Sequence, residues 1–229
     1  MSAPILPVSI QLVSLAVLLA FLGFGYCGAY RAPRAAIPDE AREIPFASGA
    51  ASLLRASALR DVGAFDEALF MYQEDQDLGI RLRLRGWRAR LAPRSVVWHH
   101  YVFSRNPRKY FFLERNRYLV LAKSLKVRSL LVLAPFLVLS DLALLALSAA
   151  QGWLPEKLRA HRELLSRPVR EHVRAERTRI QASRTISDRE LARWFSASLE
   201  FEGLAGGWLP RVLRLPMALA WRVVRTLLG

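Results

Sequence analysis

The chain has 229 residues, 53% of them hydrophobic, which allows one or two domains and excludes global disorder. Its 34 Lys+Arg against 19 Asp+Glu give a formal net charge of +15, a balance that suits nucleic acid or an anionic membrane surface. The single cysteine, Cys27, excludes an intramolecular disulfide framework and any multi-cysteine metal site.

Residues 4–30 carry no charge and are long enough to cross a bilayer, so residues 1–30 are read as an apolar N-terminal anchor. A secretory signal fits less well, because no Lys or Arg precedes the run. Residues 31–122 read as a small mixed α/β unit. In it FASGAASLLR predicts a buried strand, with Gly49 where backbone comes close to something. SALRDVG predicts a short helix with Ser57 as N-cap and Gly63 as stop. AFDEALFMYQ reads as an aromatic loop.

Residues 74–85 predict a helix with Glu74, Asp75 and Asp77 in its first turn and Arg81, Arg83 and Arg85 in its last turns. That order suits the helix dipole, and Asp77 and Arg81 stand four apart with the acid first. Taken alone, this explains all three acids as helix-start residues. RARLAPRSVVWHH then predicts a strand ending in His99 and His100, and NPRKYFFLERNRYLVLAK a helix.

Residues 123–156 form a second apolar section, charged within 129–154 only at Asp141 and interrupted by Pro135. Lys123, Lys126 and Arg128 precede it, and Lys157 and Arg159 follow. The positive-inside tendency puts both flanks in the cytoplasm, which predicts a re-entrant or interfacial hairpin bending near Pro135. Residues 157–229 read as a basic amphipathic helical tail. Ser187 and Glu190 predict a capping box for a helix through 191–199. Near the end, Arg211, Arg214, Arg222 and Arg225 share an arc of about 80° on a continuous helix. Leu213, Leu215, Leu219 and Val224 are assigned to the opposite side, a pattern suited to a membrane interface. Pro216 is expected to kink or break that helix. A solvated basic helix packed on its own domain is the competing reading.

In order, Ser48-Gly49-Ala50, VGAFDEALFMYQEDQDLGIRLRLRGW, SVVWHH and RKYFFLERNRYLVL resemble the C-terminal half of family 2 glycosyltransferases, inverting enzymes of the GT-A fold. Among them the chain is similar to bacterial membrane-associated glycosyl- and rhamnosyltransferases. The resemblance covers roughly residues 46–122, with Ala64 in place of the second glycine of the Gly-Gly-Phe-Asp-Glu pattern. The implied fold class is α/β: a partial GT-A domain, then membrane-associated apolar helices and a basic helical tail.

The resemblance implies that Asp75 is the base that takes the acceptor hydroxyl's proton. Glu74 and Asp77 are expected to hold the helix start. The helix N-terminus and the arginines are expected to lower the pKa of Asp75. His99, with His100 as runner-up, would contact a divalent cation, Mg or Mn, that neutralises the donor diphosphate. Without the resemblance a strand-end histidine is a hydrogen-bonded surface residue. Phe65, Asp66 and Glu67 are expected to shape the acceptor side, with Gly49 and Trp87 in support, Trp87 more as core than as sugar platform. Arg115 and Asn116 match the family's downstream helix without an assigned role.

No Asp-x-Asp motif and no nucleotide-binding half precede Ser48. Three readings follow: a fragment of a transferase, a chain working with a separate donor-binding half, or a non-catalytic membrane-associated protein retaining part of the fold. Donor binding by the chain alone is expected to be poor. The expected partners are a nucleotide sugar, a glycan or lipid-linked acceptor and a membrane. The expected location is the cytoplasmic face of the cell membrane. Nucleic acid is not expected, because no recognised binding motif accompanies the charge.

Overall fold

The computed structural model describes residues 9–12, 17–27, 39–95, 97–100, 108–197 and 208–228. Three small sheets are present among them. Strand β1 (Ser9–Leu12) pairs antiparallel with β6 (Val97–His100). Strand β2 (Val17–Ala20) pairs antiparallel with β3 (Gly25–Cys27) and parallel with β7 (Phe195–Ser196). Strand β4 (Glu43–Ile44) pairs antiparallel with β5 (Ala89–Arg90). The remainder is mostly helical: α1 (Ala56–Val62), α2 (Glu74–Leu84), α3 (Arg108–Ser124), α4 (Val127–Gln151), α5 (Leu154–Leu164), α6 (Arg167–Ser183), α7 (Asp188–Leu191) and α8 (Trp208–Leu227).

The predicted N-terminal anchor is replaced, over its described residues, by strands and a buried turn. Phe21, Leu22 and Phe24 lie in the main core with Phe46, Leu119, Leu121 and Phe195. The Phe21 ring stacks on Trp221 of α8 at 5.3 Å between centroids. Gly23, at φ +87°, makes the turn between β2 and β3 and lies close under Leu121. A charge-free run satisfies its backbone as well by pairing strands inside a fold as by forming a helix in lipid, and here the strands win.

Further expectations are corrected. FASGAASLLR is not a strand: Gly49, Ala50 and Ala51 form a turn and bend, and Gly49 and Ala50 are exposed. RARLAPRSVVWHH is divided into β5 and β6 by a turn at Pro93 and Arg94. Helix α4 runs unbroken through Pro135, and α8 through Pro216. Both prolines sit on exposed sides of their helices, where a freed carbonyl can turn outward without breaking the rod. The Ser187–Glu190 capping box is present, but α7 ends at Leu191 and a 3-10 turn leads into β7.

Helix α3 is the centre of the helical part, packed against α5 and α6. Its buried face is polar as well as apolar: Glu114, Arg115, Asn116, Arg117 and Lys123 are all buried. Helix α2 crosses the segment carrying Phe46 at Gly79. A Cβ on Gly79 would enter the van der Waals envelope of the Phe46 Cβ and lie 3.1 Å from its backbone Cα. Backbone cannot yield as a flexible side chain can. Gly79→Ala should therefore destabilise the protein by about 3 kcal/mol, at the upper end of overpacking costs, despite alanine's higher helix propensity. Denaturant unfolding of the variant checks this.

Candidate active site

The site is built at the start of α2. The chain enters that helix through three non-glycine residues with positive φ: Phe70 at 58°, Tyr72 at 65° and Gln73 at 65°. Such conformations each cost of order 1–3 kcal/mol and persist only when neighbours impose them. The neighbours here are Arg115 and Asn116 of α3. The Asn116 amide nitrogen donates to the carbonyls of Leu69 (2.9 Å), Met71 (2.9 Å) and Tyr72 (2.8 Å). Arg115 donates to the carbonyls of Ala68 (2.6 Å) and Leu69 (3.3 Å), to Glu163 of α5 (2.7 Å) and to Asn116 Oδ1 (3.0 Å). Two adjacent residues thus hold the strained loop against α3.

That loop fixes where Glu74 and Asp75 stand. Asp75 Oδ2 accepts from the Gly49 backbone N–H at 3.0 Å, and Oδ1 from the Gln76 N–H at 2.7 Å. Burial raises the pKa of Asp75 above the usual carboxylate value, and the backbone N–H groups only partly oppose it. Glu74 is raised chiefly by burial, with the neighbouring Asp75 charge adding to it, and its Oε2 is buried without a hydrogen-bond partner. The expected lowering of Asp75 by arginines is corrected, because the arginines point elsewhere. Arg81 donates to the carbonyls of Val62 (2.7 Å), Gly63 (3.1 Å) and Ala64 (2.7 Å). Arg83 donates to the carbonyls of Pro45 (2.8 Å) and Ile44 and lies over the Trp194 ring. Arg85 pairs with Asp61 at 2.9 Å.

Asp77 and Asp66 are not part of this opening. Asp77 is fully buried, paired with Arg81 at 2.8 Å, as the spacing predicts, and with Lys123 at 2.9 Å. Asp66 caps a single 3-10 turn over Glu67–Leu69 and pairs with Lys123 and His172. Burial pushes its pKa up, but the contacts with Lys123 and His172 outweigh burial and hold it at about 2. Glu67 is exposed, and the half-buried Trp87 donates its indole N–H to Asp61 at 2.8 Å. Phe65, Phe70 and Met71 are exposed around the strained loop, and Phe70 packs on Phe112 of α3 at 5.5 Å between rings. His99 is paired with Ile10 through the β1–β6 ladder, and its side chain, like that of His100, lies outside the described residues.

Another acid and histidine cluster unites Glu114, Asp141 and His161, whose ligand atoms lie within 4.8 Å of one another. It does not fit a divalent cation. Lys157 Nζ already lies 2.6 Å from Glu114 and 2.8 Å from Asp141, and Arg117 Nη2 lies 2.6 Å from Asp141. Two carboxylates are already paired with two cations, Lys157 and Arg117, and a metal would add uncompensated positive charge beside them. The Arg115–Asn116 clamp and the Lys123 hub were missed from sequence. Polar residues on the buried face of an otherwise amphipathic helix are the signal that could have found them.

The glycosyltransferase like family 2 model matches residues 19–118, beginning well upstream of the roughly 46–122 read from motifs alone. Two Mycobacterium tuberculosis proteins, from strains CDC 1551 / Oshkosh and ATCC 25618 / H37Rv, are each 44% identical to the chain over 72 residues. Each is named N-acetylglucosaminyl-diphospho-decaprenol L-rhamnosyltransferase. The aligned stretch is 31% of this chain and spans only 23% of each relative's length. No solved structure matches significantly.

Removing the clamp should loosen the loop in front of Asp75. Asn116→Ala takes the named donor from the Met71 and Tyr72 carbonyls, while Leu69 keeps Arg115, and should cost about 2–3 kcal/mol. Amide hydrogen exchange should accelerate most over residues 69–76, with the α5–α6 region less affected. Uniform acceleration along the chain would mean that Asn116 supports the fold at large and not the loop.

Proposed function

We propose, from the match of residues 19–118 to the glycosyltransferase like family 2 model, that the protein transfers a sugar from a nucleotide-sugar donor to a glycan or lipid-linked acceptor, with Asp75 as the base. The observation that carries this is the contrast among the acids. Asp66 and Asp77 are both ion-paired with Lys123, and Asp77 also with Arg81. Glu74 and Asp75 form no ion pair among the described residues. Asp75 is desolvated and raised in pKa, and it faces the exposed Gly49 turn. A carboxylate raised toward the working pH is a better proton acceptor than an ion-paired one. Its charge also stabilises positive charge developing at the anomeric carbon.

The names of the relatives support a polyprenyl-diphosphate-linked acceptor and a deoxyhexose donor. Exposed Phe65, Phe70 and Met71 supply apolar and aromatic surface on the acceptor side. A divalent cation at the donor diphosphate is part of the proposal, with His99 as its contact. Helix α4 is long and apolar enough to cross a membrane, which supports membrane association. The cytoplasmic face is where nucleotide sugars are available.

Sugar transfer to a lipid-linked acceptor by membranes containing the protein tests the reading. Asp75→Asn should lower turnover by roughly 10² to 10⁴, the worth of general base catalysis. Asp77→Asn should act mainly through stability, because it loosens a buried ion pair. Equal, small rate effects from the two variants would remove Asp75 from the mechanism.

The rate should also fall as pH drops through the folded pKa of Asp75, with the acid limb above the ordinary aspartate value of 3.8. The linkage sign is opposite for stability. A raised carboxyl stabilises below its unfolded pKa, and that contribution is lost as pH rises through the folded value. Asp75→Asn should therefore melt no lower than the native protein at neutral pH. A pH–rate profile and paired melting curves check both statements.

A further inference from the structure

Helix α4 has two unlike sides. Toward the body it buries Ser129, Leu133 and Ser148. Outward, Leu131, Pro135, Val138, Leu142, Leu145 and Ala149 recur at helical spacing, and all are exposed. Leu131 is 68% exposed, Val138 60% and Leu142 59%. From residue 131 to 150 no exposed residue of α4 is polar. Helix α8 packs against α4 and has an exposed apolar stripe of its own. It buries Trp221 and Val224 but exposes Leu215, Leu219, Val223 and Leu227, four apart along one stripe. This corrects the expected two-sided pattern, since only Val224 of the expected apolar side with a described side chain faces the core. Arg222 and Arg225 are exposed along the flank of that stripe, and Lys126 and Arg128 are exposed at the start of α4.

Length alone would let α4 cross a bilayer. Its ion pairs argue otherwise. Asp141 lies about 21 Å along the helix axis from Val127, near the middle of a rod about 37 Å long. There it pairs with Arg117 of α3 at 2.6 Å, and with Lys157 at 2.8 Å and His161 at 2.7 Å, both of α5. Glu114 joins through Lys157 at 2.6 Å. If α4 crossed, this whole ionic group and the two helices that carry it would stand at the hydrocarbon centre, where charged side chains are costly. A helix gripped along one side by charges cannot be ringed by lipid.

We infer that α4 and α8 lie side by side in the plane of an anionic bilayer surface. Their exposed apolar stripes enter the interface to a depth of about 5–10 Å, and Lys126, Arg128, Arg222 and Arg225 meet the headgroups. The ionic group around Asp141 stays on the protein side and ties α4 to α3 and α5. This rests on the membrane placement proposed above but not on sugar transfer, so either can fail without the other.

Flotation of the full chain with vesicles tests it. Binding should be strong to vesicles of phosphatidylglycerol and phosphatidylcholine and much weaker to phosphatidylcholine alone. Arg222→Glu with Arg225→Glu should lower partition onto the anionic vesicles by about 10-fold or more, with the loss shrinking at high salt. Val138→Glu with Leu142→Glu should abolish flotation at any salt. Both pairs are exposed, so circular dichroism and melting should match the native protein. Should the Val138 and Leu142 double variant misfold, the arginine pair still decides. In cells, alkaline carbonate should release the protein from membranes. Retention after carbonate, with α4 protected from protease, would establish a span and overturn the inference. Concentration-dependent dimerisation without vesicle binding would also overturn it, because a second copy would then cover the apolar face.

Discussion

The ammonium of Lys123 holds together the elements on which the site is built. It is fully buried at the end of α3, 2.9 Å from Asp77 of α2 and paired also with Asp66 in the turn before the strained loop. His172 of α6 reaches Asp66 at 3.0 Å, and Arg81 reaches Asp77 at 2.8 Å. Four elements therefore meet at one charge. A buried charge costs several kcal/mol in lost hydration, and the cost is offset only when partners sit at hydrogen-bonding distance with good geometry. Two carboxylates, each with a second cationic or hydrogen-bonding partner, meet that condition. Register between α2 and α3 follows, and with it the position of the loop that Asn116 clamps.

The same constraint divides the acids of one short motif. Residues 75 and 77 are two apart on a helix, so their side chains leave the axis about 200° apart. Once Asp77 is drawn inward to Lys123, Asp75 must face out, toward Gly49. One carboxylate serves the fold, and the other, partly desolvated, has no counterion among the described residues. The motif places one acid in each environment because a helix cannot turn both the same way. The strained entry at Phe70, Tyr72 and Gln73 serves the same end, since it sets the direction from which α2 starts.

Much of this was legible in the sequence, and the remainder failed for identifiable reasons. The order of motifs pointed to the family whose model matches residues 19–118, and local spacing predicted α2, its Asp77–Arg81 pair and the Ser187–Glu190 capping box. These depend on neighbours within four residues. The N-terminal run was misread because a charge-free segment is compatible with lipid and with buried strands, and only partners distant in sequence, β7 and Trp221 among them, decide between the two. The arginines after the acids looked like dipole complements. They cap backbone carbonyls of Pro45, Val62 and Ala64, contacts that no periodicity encodes. The same holds for Asn116, whose three acceptors lie more than 40 positions away.

Those contacts also change what the net charge of +15 means. Arg81, Arg83, Arg115, Arg117, Lys123 and Lys157 are all buried. They are bound to carbonyls and carboxylates inside the protein, so their charge does not form an open basic groove of the kind that tracks a nucleic acid backbone. Among the described residues, Lys126, Arg128, Arg222 and Arg225 are outward cations that stand beside the apolar stripes of α4 and α8. A polyanion in solution gains nothing from an apolar stripe between such charges. A bilayer surface offers both chemistries at once, anionic headgroups above and hydrocarbon just beneath. The separation of buried from outward charge is thus what turns a basic composition toward lipid.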